Sequence, residues 1–68
     1  MMKEKQYRTL IADDEKFARS DLKELLSVYP SIEIVGEAKN IKTAVAAVEE
    51  LQPDLIFLDI QFPGETGF

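Results

Sequence analysis

The chain has no cysteine, no histidine and no tryptophan, and only three glycines and three prolines. Without cysteine there is neither a disulfide nor a thiolate metal site to hold a small fold together. The lack of histidine removes the commonest metal ligand, the usual physiological acid–base group and any phosphohistidine on this chain. No apolar run approaches the roughly 18 residues of a membrane span. The opening Met1-Met2-Lys3-Glu4-Lys5-Gln6 is polar and lacks the apolar core of a secretory signal, so a cytoplasmic location is expected. Basic residues are also scarce. Eight of them against thirteen acidic ones leave a net charge of −5. Nucleic-acid binding normally needs a basic face, so this segment is not expected to contact DNA directly. A chain of this length buries only about 60% of its unfolded surface. The core must therefore come from the 46% of residues that are apolar, a fraction that suits a globular domain and not a disordered one.

Those apolar residues fall into an alternation of strand and helix patterns. Strands are predicted over residues 8–13, 32–36 and 54–59, and helices over 15–29 and 41–51. The first strand is an unbroken apolar run, as a strand covered on both faces should be, and the third is the most apolar run of all. Ile32 and Ile34 alternate with Glu33, which suits an edge strand. Ala18, Leu22, Leu25, Leu26 and Tyr29 mark one helical stripe, and Ile41, Ala44, Val45, Val48 and Leu51 the other. Asp14 and Asn40 are the predicted N-caps, and Pro30 and Pro53 the stops. Strand–helix alternation argues for parallel βαβ units, whose crossovers are right-handed. Helices on opposite faces then put the first strand in the middle, in the order 2-1-3. Gln61 to Phe68, with one proline and two glycines, reads as a loop.

Three aspartates stand where strands end: Asp13 and Asp14 after Thr9-Leu10-Ile11-Ala12, and Asp59 after Leu55-Ile56-Phe57-Leu58. Ligands of open α/β sheets bind beyond the carboxyl ends of the strands, at the switch in strand order. Three carboxylates gathered there would repel. At about 5 Å and an effective dielectric near 20, each pair costs roughly 3 kcal/mol. A hard cation such as Mg²⁺ reverses that sign and keeps positions open for phosphate oxygens. A carboxylate can also be the nucleophile that takes a phosphoryl group. Asp59, alone at the end of a central strand, is the candidate nucleophile, with Asp13 and Asp14 as cation holders. The plainer alternative is that Asp13-Asp14-Glu15 only caps a helix and Asp59 only forms a turn.

The stretches Leu10-Ile11-Ala12-Asp13-Asp14-Glu15, Ile34-Val35-Gly36-Glu37-Ala38 and Pro53 to Gly67 resemble, in order and spacing, the receiver domain of two-component response regulators. The resemblance implies a flavodoxin-like sheet and Mg²⁺ as cofactor. It implies that Asp59 accepts the phosphoryl group, that Asp13 and Asp14 hold the metal with it, and that Gln61 adds its backbone carbonyl. It further implies a sensor histidine kinase or an acyl phosphate as donor, no enzyme activity beyond self-phosphorylation and dephosphorylation, and a role in controlling transcription through an output domain. Phe17-Ala18-Arg19 and Leu58-Asp59-Ile60-Gln61 most resemble receivers joined to a LytTR-type DNA-binding domain. Phe62 stands where the family usually has methionine.

Such receivers have five strands and five helices in roughly twice this length, so residues 1–68 are expected to form an N-terminal half. The family's hydroxyl residue on the fourth strand and lysine on the fifth are not in this chain, and no Lys or Arg here takes that lysine's place. The remaining half and the output domain are then expected partners, and a homodimer formed by edge pairing or swapping of the third strand is a further expectation. Two other functions stay open. One is an assembly segment that takes no phosphate. The other is a metal-dependent phosphatase with an aspartyl nucleophile, although such enzymes favour a second aspartate where Gln61 stands. A cobalamin module of similar fold would want a histidine.

Overall fold

The computed structural model describes residues 5–59. Five elements follow one another: β1 (Tyr7–Asp13), α1 (Lys16–Leu26), β2 (Ile32–Ala38), α2 (Ile41–Leu51) and β3 (Leu55–Asp59). The sheet is parallel, with β1 between β2 and β3. This is the 2-1-3 order that the sequence pattern predicts.

The core sits on β1. Thr9, Leu10, Ile11 and Ala12 are fully buried and Asp13 nearly so. Neighbours along a strand point to opposite faces, so both faces of β1 are covered. Helix α1 packs against β1 and β2 from one side, and α2 against the same pair from the other. On the α2 side, Ala12, Ala38 and Ala44 make a cluster of small side chains that lets helix and sheet approach. Gly36 serves the same end. A Cβ placed there would lie 2.6 Å from Leu51 Cδ1 and 3.4 Å from Leu10 Cδ1. Gly36 also follows a register shift: Thr9 pairs with Ile34 but Leu10 with Gly36, leaving Val35 as an extra residue on β2.

The α2–β3 connection fixes where β3 ends. Asn40 caps α2, its Oδ1 accepting the Thr43 N–H while the Thr43 hydroxyl oxygen accepts the Asn40 N–H. At the other end Gln52 takes a left-handed conformation, φ 48°. Arg8 donates from Nη1 to the carbonyls of Leu51 and Gln52, a cation at the negative end of the helix. Asp54 then clasps the Arg8 backbone. Its Oδ2 accepts the Arg8 N–H at 2.8 Å, and its own N–H donates to the Arg8 carbonyl at 2.7 Å. From that clasp the register runs Thr9–Leu55 through Asp13–Asp59.

Several details differ from the sequence pattern. Asp14 does not cap α1. Glu15 occupies the N-cap position without a side-chain bond, and Asp13 Oδ1 instead accepts the Glu15 N–H at 2.9 Å. Helix α1 begins at Lys16 and ends at Leu26, because the Ser27 hydroxyl binds the Glu24 carbonyl and the Tyr29 N–H turns back to Leu26. Strand β2 runs past Gly36 to Ala38, carried by pairing with Ile11 and Ala12. Leu25 and Tyr29 are exposed, as are Val45 and Val48. The helix faces that meet the sheet are narrower than the stripes: Ala18, Leu22 and Leu26 on α1, and Ile41, Ala44, Ala47 and Leu51 on α2. Strand β3 is apolar but exposed along its whole length. The predicted loop from Gln61 to Phe68 lies outside the described residues.

Candidate functional site

The carboxyl ends of β1 and β3 meet. Asp13 is the last residue of β1 and Asp59 the last of β3, and they are register partners. Partners directly opposite in a sheet point to the same face, so this register places the two carboxylates side by side. Their surroundings differ. Asp13 is 7% exposed, whereas Asp59 is exposed. Asp14 lies on the exposed bend that follows Asp13. Gln61 lies outside the described residues. Among the described residues, no three acidic side chains are gathered closely enough to ligate one ion. The register thus brings Asp13 and Asp59 together and leaves Asp14 beside them, facing solvent.

Asp13 is held from two directions. Its side-chain Oδ1 takes the Glu15 N–H, which leaves Oδ2 for another partner. Its backbone carbonyl lies one residue beyond the last β1–β2 pair, Ala12–Ala38, and accepts from Arg19 Nη1 at 2.7 Å. Arg19 is itself held. Its Nε donates to Glu37 Oε1 at 3.1 Å, and Glu37 Oε2 accepts from Lys23 Nζ at 2.7 Å. Arg19 and Lys23 are one helical turn apart and so share a face of α1. Glu37 reaches them from the end of β2. Lys23's hydrogen bond, reinforced by Arg19, holds the Glu37 carboxyl below its ordinary range against a burial penalty that pushes the other way. The sequence pattern singles out neither Arg19 nor Glu37 for the site. The signal available is a pair of cations at i and i+4 on one helix and a glutamate next to the last residue of β2.

A shallow groove opens beside the aspartates, between α1 and β3. Ala18, Leu22 and Leu25 line one wall, Phe57 and Leu58 the other, with Asp13 and Asp59 at one end.

The chain and its fold have counterparts among known proteins. Residues 9–68 match the response regulator receiver domain. The chain belongs to that family. It is 50% identical over 60 residues to the transcriptional regulatory protein BtsR of Salmonella typhi, an alignment covering 88% of this chain and 25% of the relative. It is 48% identical over 58 residues to an uncharacterized response regulatory protein of Vibrio parahaemolyticus, covering 85% of this chain and 24% of that one. Among solved structures, the signal receiver domain of the response regulator NarL from Mycobacterium tuberculosis superposes with a TM-score of 0.80 at 30% identity. That superposition covers 94% of this chain and 52% of the NarL chain. This receiver segment therefore spans about a quarter of the curated relatives it matches and about half of a solved receiver.

Proposed function

We propose that this chain is the phosphoryl-accepting part of a bacterial two-component switch, with Asp59 as the acceptor. The observation that carries the proposal is the in-register pairing of Asp13 with Asp59 at the carboxyl ends of β1 and β3, the crevice where ligands of such sheets bind. Mg²⁺ fits the donor set. Two adjacent carboxylates and water are hard oxygen ligands of the kind it takes, with few of them from protein; the family resemblance adds the backbone carbonyl of Gln61, which lies outside the described residues. Asp14 sits close enough in sequence to act through a water. When bound, Mg²⁺ supplies neutralising charge for the transferring oxygens.

The chain's own contribution is a nucleophile and its placement. An Asp59 carboxylate oxygen forms a bond to phosphorus as the P–N bond of a phosphohistidine, or the P–O bond of an acyl phosphate, breaks. The leaving group keeps the electron pair. Asp59 lies at an exposed strand end, so a donor can approach in line with the breaking bond. The chemistry is self-modification and not turnover of a separate substrate. The proposed setting is a cytoplasmic transcription regulator with a LytTR-type output domain. Its partners are a sensor histidine kinase, the output domain and the remaining half of the receiver. Neither DNA nor membrane contacts this segment directly, and no helix among the described residues is long and apolar enough to cross a membrane.

The test is intact-mass spectrometry after incubation with Mg²⁺ and acetyl phosphate. One phosphoryl adduct is expected, labile to base and lost in Asp59→Ala. A wild-type adduct that persists in Asp59→Ala refutes the assignment of the acceptor.

One observation favours a second reading, assembly through β3. That strand lies at the sheet edge, and Leu55, Ile56, Phe57 and Leu58 are 37 to 59% exposed. Exposed apolar edges pair with other chains. Sedimentation across a concentration series is expected to show a dimer. A monomeric mass at every concentration, with sharp cooperative unfolding, rejects this reading.

A further inference from the structure

We infer that Arg19 is a positioning residue for the acidic site: fixed by Glu37, it holds the Asp13 carbonyl and so sets the turn on which Asp13 and Asp14 are presented. The inference rests on the phosphoryl-acceptor reading for its purpose, and on the hydrogen bonds alone for its geometry.

A guanidinium can donate in two directions in a fixed fork, which an ammonium cannot. Arg19 uses both. Nε is committed to Glu37 at 3.1 Å and Nη1 to the Asp13 carbonyl at 2.7 Å. The Arg19 side chain is only 16% exposed, so this is no loose surface pair. Glu37 is anchored in turn by β2, whose pairing with β1 runs through Glu37 and Ala38. The chain of contacts therefore leads from the sheet, through Glu37 and Arg19, to the peptide joining Asp13 to Asp14. That peptide needs such a hold, because the β1–β2 ladder stops one residue earlier and a carbonyl that close to the core requires a donor. The same peptide leads into the turn in which Asp13 Oδ1 receives the Glu15 N–H. Rotating it would re-aim the Asp13 carboxylate and Asp14 together. Lys23 also binds Glu37 but donates to no atom of the turn, so it is the natural control.

The experiment compares Arg19→Lys, Glu37→Ala and Lys23→Gln in this chain, by amide hydrogen exchange without metal and by calorimetric titration with Mg²⁺. Arg19→Lys keeps the charge and loses the fork. Glu37→Ala keeps the arginine and loses its anchor. In both, exchange at the Glu15 amide should accelerate while Ile11 and Ala12 in the core keep their protection. The Mg²⁺ dissociation constant should rise about tenfold, the size typical of losing an outer partner of a metal ligand. Lys23→Gln should leave both within about twofold, as surface changes usually do. Unchanged Glu15 exchange in the first two variants overturns the inference. Acceleration at Glu15, Ile11 and Ala12 alike also overturns it, since Arg19 would then hold the fold and not the turn. Failure of both variants to fold has the same meaning. If the unmodified chain binds no Mg²⁺, the phosphoryl-acceptor reading fails, and the Glu15 exchange still decides the positioning role.

Discussion

Replacing Asp59 with asparagine should stabilise the metal-free chain. Asp13 and Asp59 are register partners on adjacent parallel strands, and such strands lie about 4.8 Å apart. Two carboxylates about 5 Å apart repel by roughly 3 kcal/mol at an effective dielectric of 20, and by roughly 0.8 kcal/mol in water. Asp13 is nearly buried but Asp59 faces solvent, which puts the value toward the lower end, at about 1 kcal/mol. Asn is close to isosteric with Asp and leaves the Asp13–Glu15 bond untouched, so little else changes. For a domain of this size about 1 kcal/mol corresponds to roughly 4–8 °C in Tm. The assay is urea and thermal unfolding of both proteins at low ionic strength. It is then repeated in 1 M NaCl, where the Debye length of about 3 Å should erase most of the gain. Added Mg²⁺ should invert the order. At about 100 times its dissociation constant, a ligand that binds only the folded state adds about 2.7 kcal/mol, and Asp59→Asn gives up much of that. An asparagine variant that is no more stable than wild type without metal refutes the electrostatic reasoning. An order that Mg²⁺ does not invert refutes the assignment of Asp59 to the metal site.

Two further predictions concern the scaffold. Gly36→Val should cost about 2 kcal/mol, within the range for overfilling a packed site, because even a Cβ at that position meets Leu51 Cδ1 at 2.6 Å. Gly36→Ala should cost less than about 1 kcal/mol, since Leu51 is only half-buried and its methyl can swing aside. Urea midpoints check both, and equal losses for the two would be inconsistent with a steric origin. Glu37 should make stability depend on pH in one direction. Its carboxyl is lowered in the folded chain, chiefly by Lys23. Its contribution is therefore complete above the ordinary glutamate value of about 4.3 and disappears as pH falls through the lower folded value. Unfolding midpoints of wild type and Glu37→Gln should differ at pH 7 and converge in acid. A gap that widens in acid would contradict the sign.

The order 2-1-3 was legible because the continuous apolar run of β1 can only be satisfied by cover on both faces, and two right-handed crossovers supply it. The meeting of Asp13 and Asp59 followed from that order. The contacts that tune the meeting were not legible. Asp54 reads as the first residue of the third strand until its carboxylate is seen on the Arg8 amide, yet that clasp, just before Leu55, starts the register that ends at Asp59. Asp14 has the right residue type for a cap, but Asp13 Oδ1 reaches the Glu15 amide first. The helical stripes were read too wide. Periodicity reports which residues are apolar, not how broad a sheet lies beneath them. Leu25 stays exposed although α1 packs on β1 and β2, and Tyr29 lies past the end of the helix. Arg19 and Glu37 are 18 residues apart, and no local pattern announces a pair made by topology.

The two aspartates thus stand on supports of unequal stiffness. Asp13 ends a strand whose preceding four residues are fully buried, and it is held again by Glu15 and Arg19. Asp59 ends a strand with β1 on one side and every residue exposed. Low burial, and an edge that nothing among the described residues pairs with, are the marks of low local stability. Repulsion between the carboxylates would therefore be relieved mostly by displacement of the β3 end, with β1 staying in place. A cation that draws the pair together would order β3 against a fixed reference, and a phosphoryl group added to Asp59 would act on the softer of the two supports. Charge at one side chain would then become position of a strand through that asymmetry, which comes from where the buried run of β1 ends and the exposed run of β3 begins.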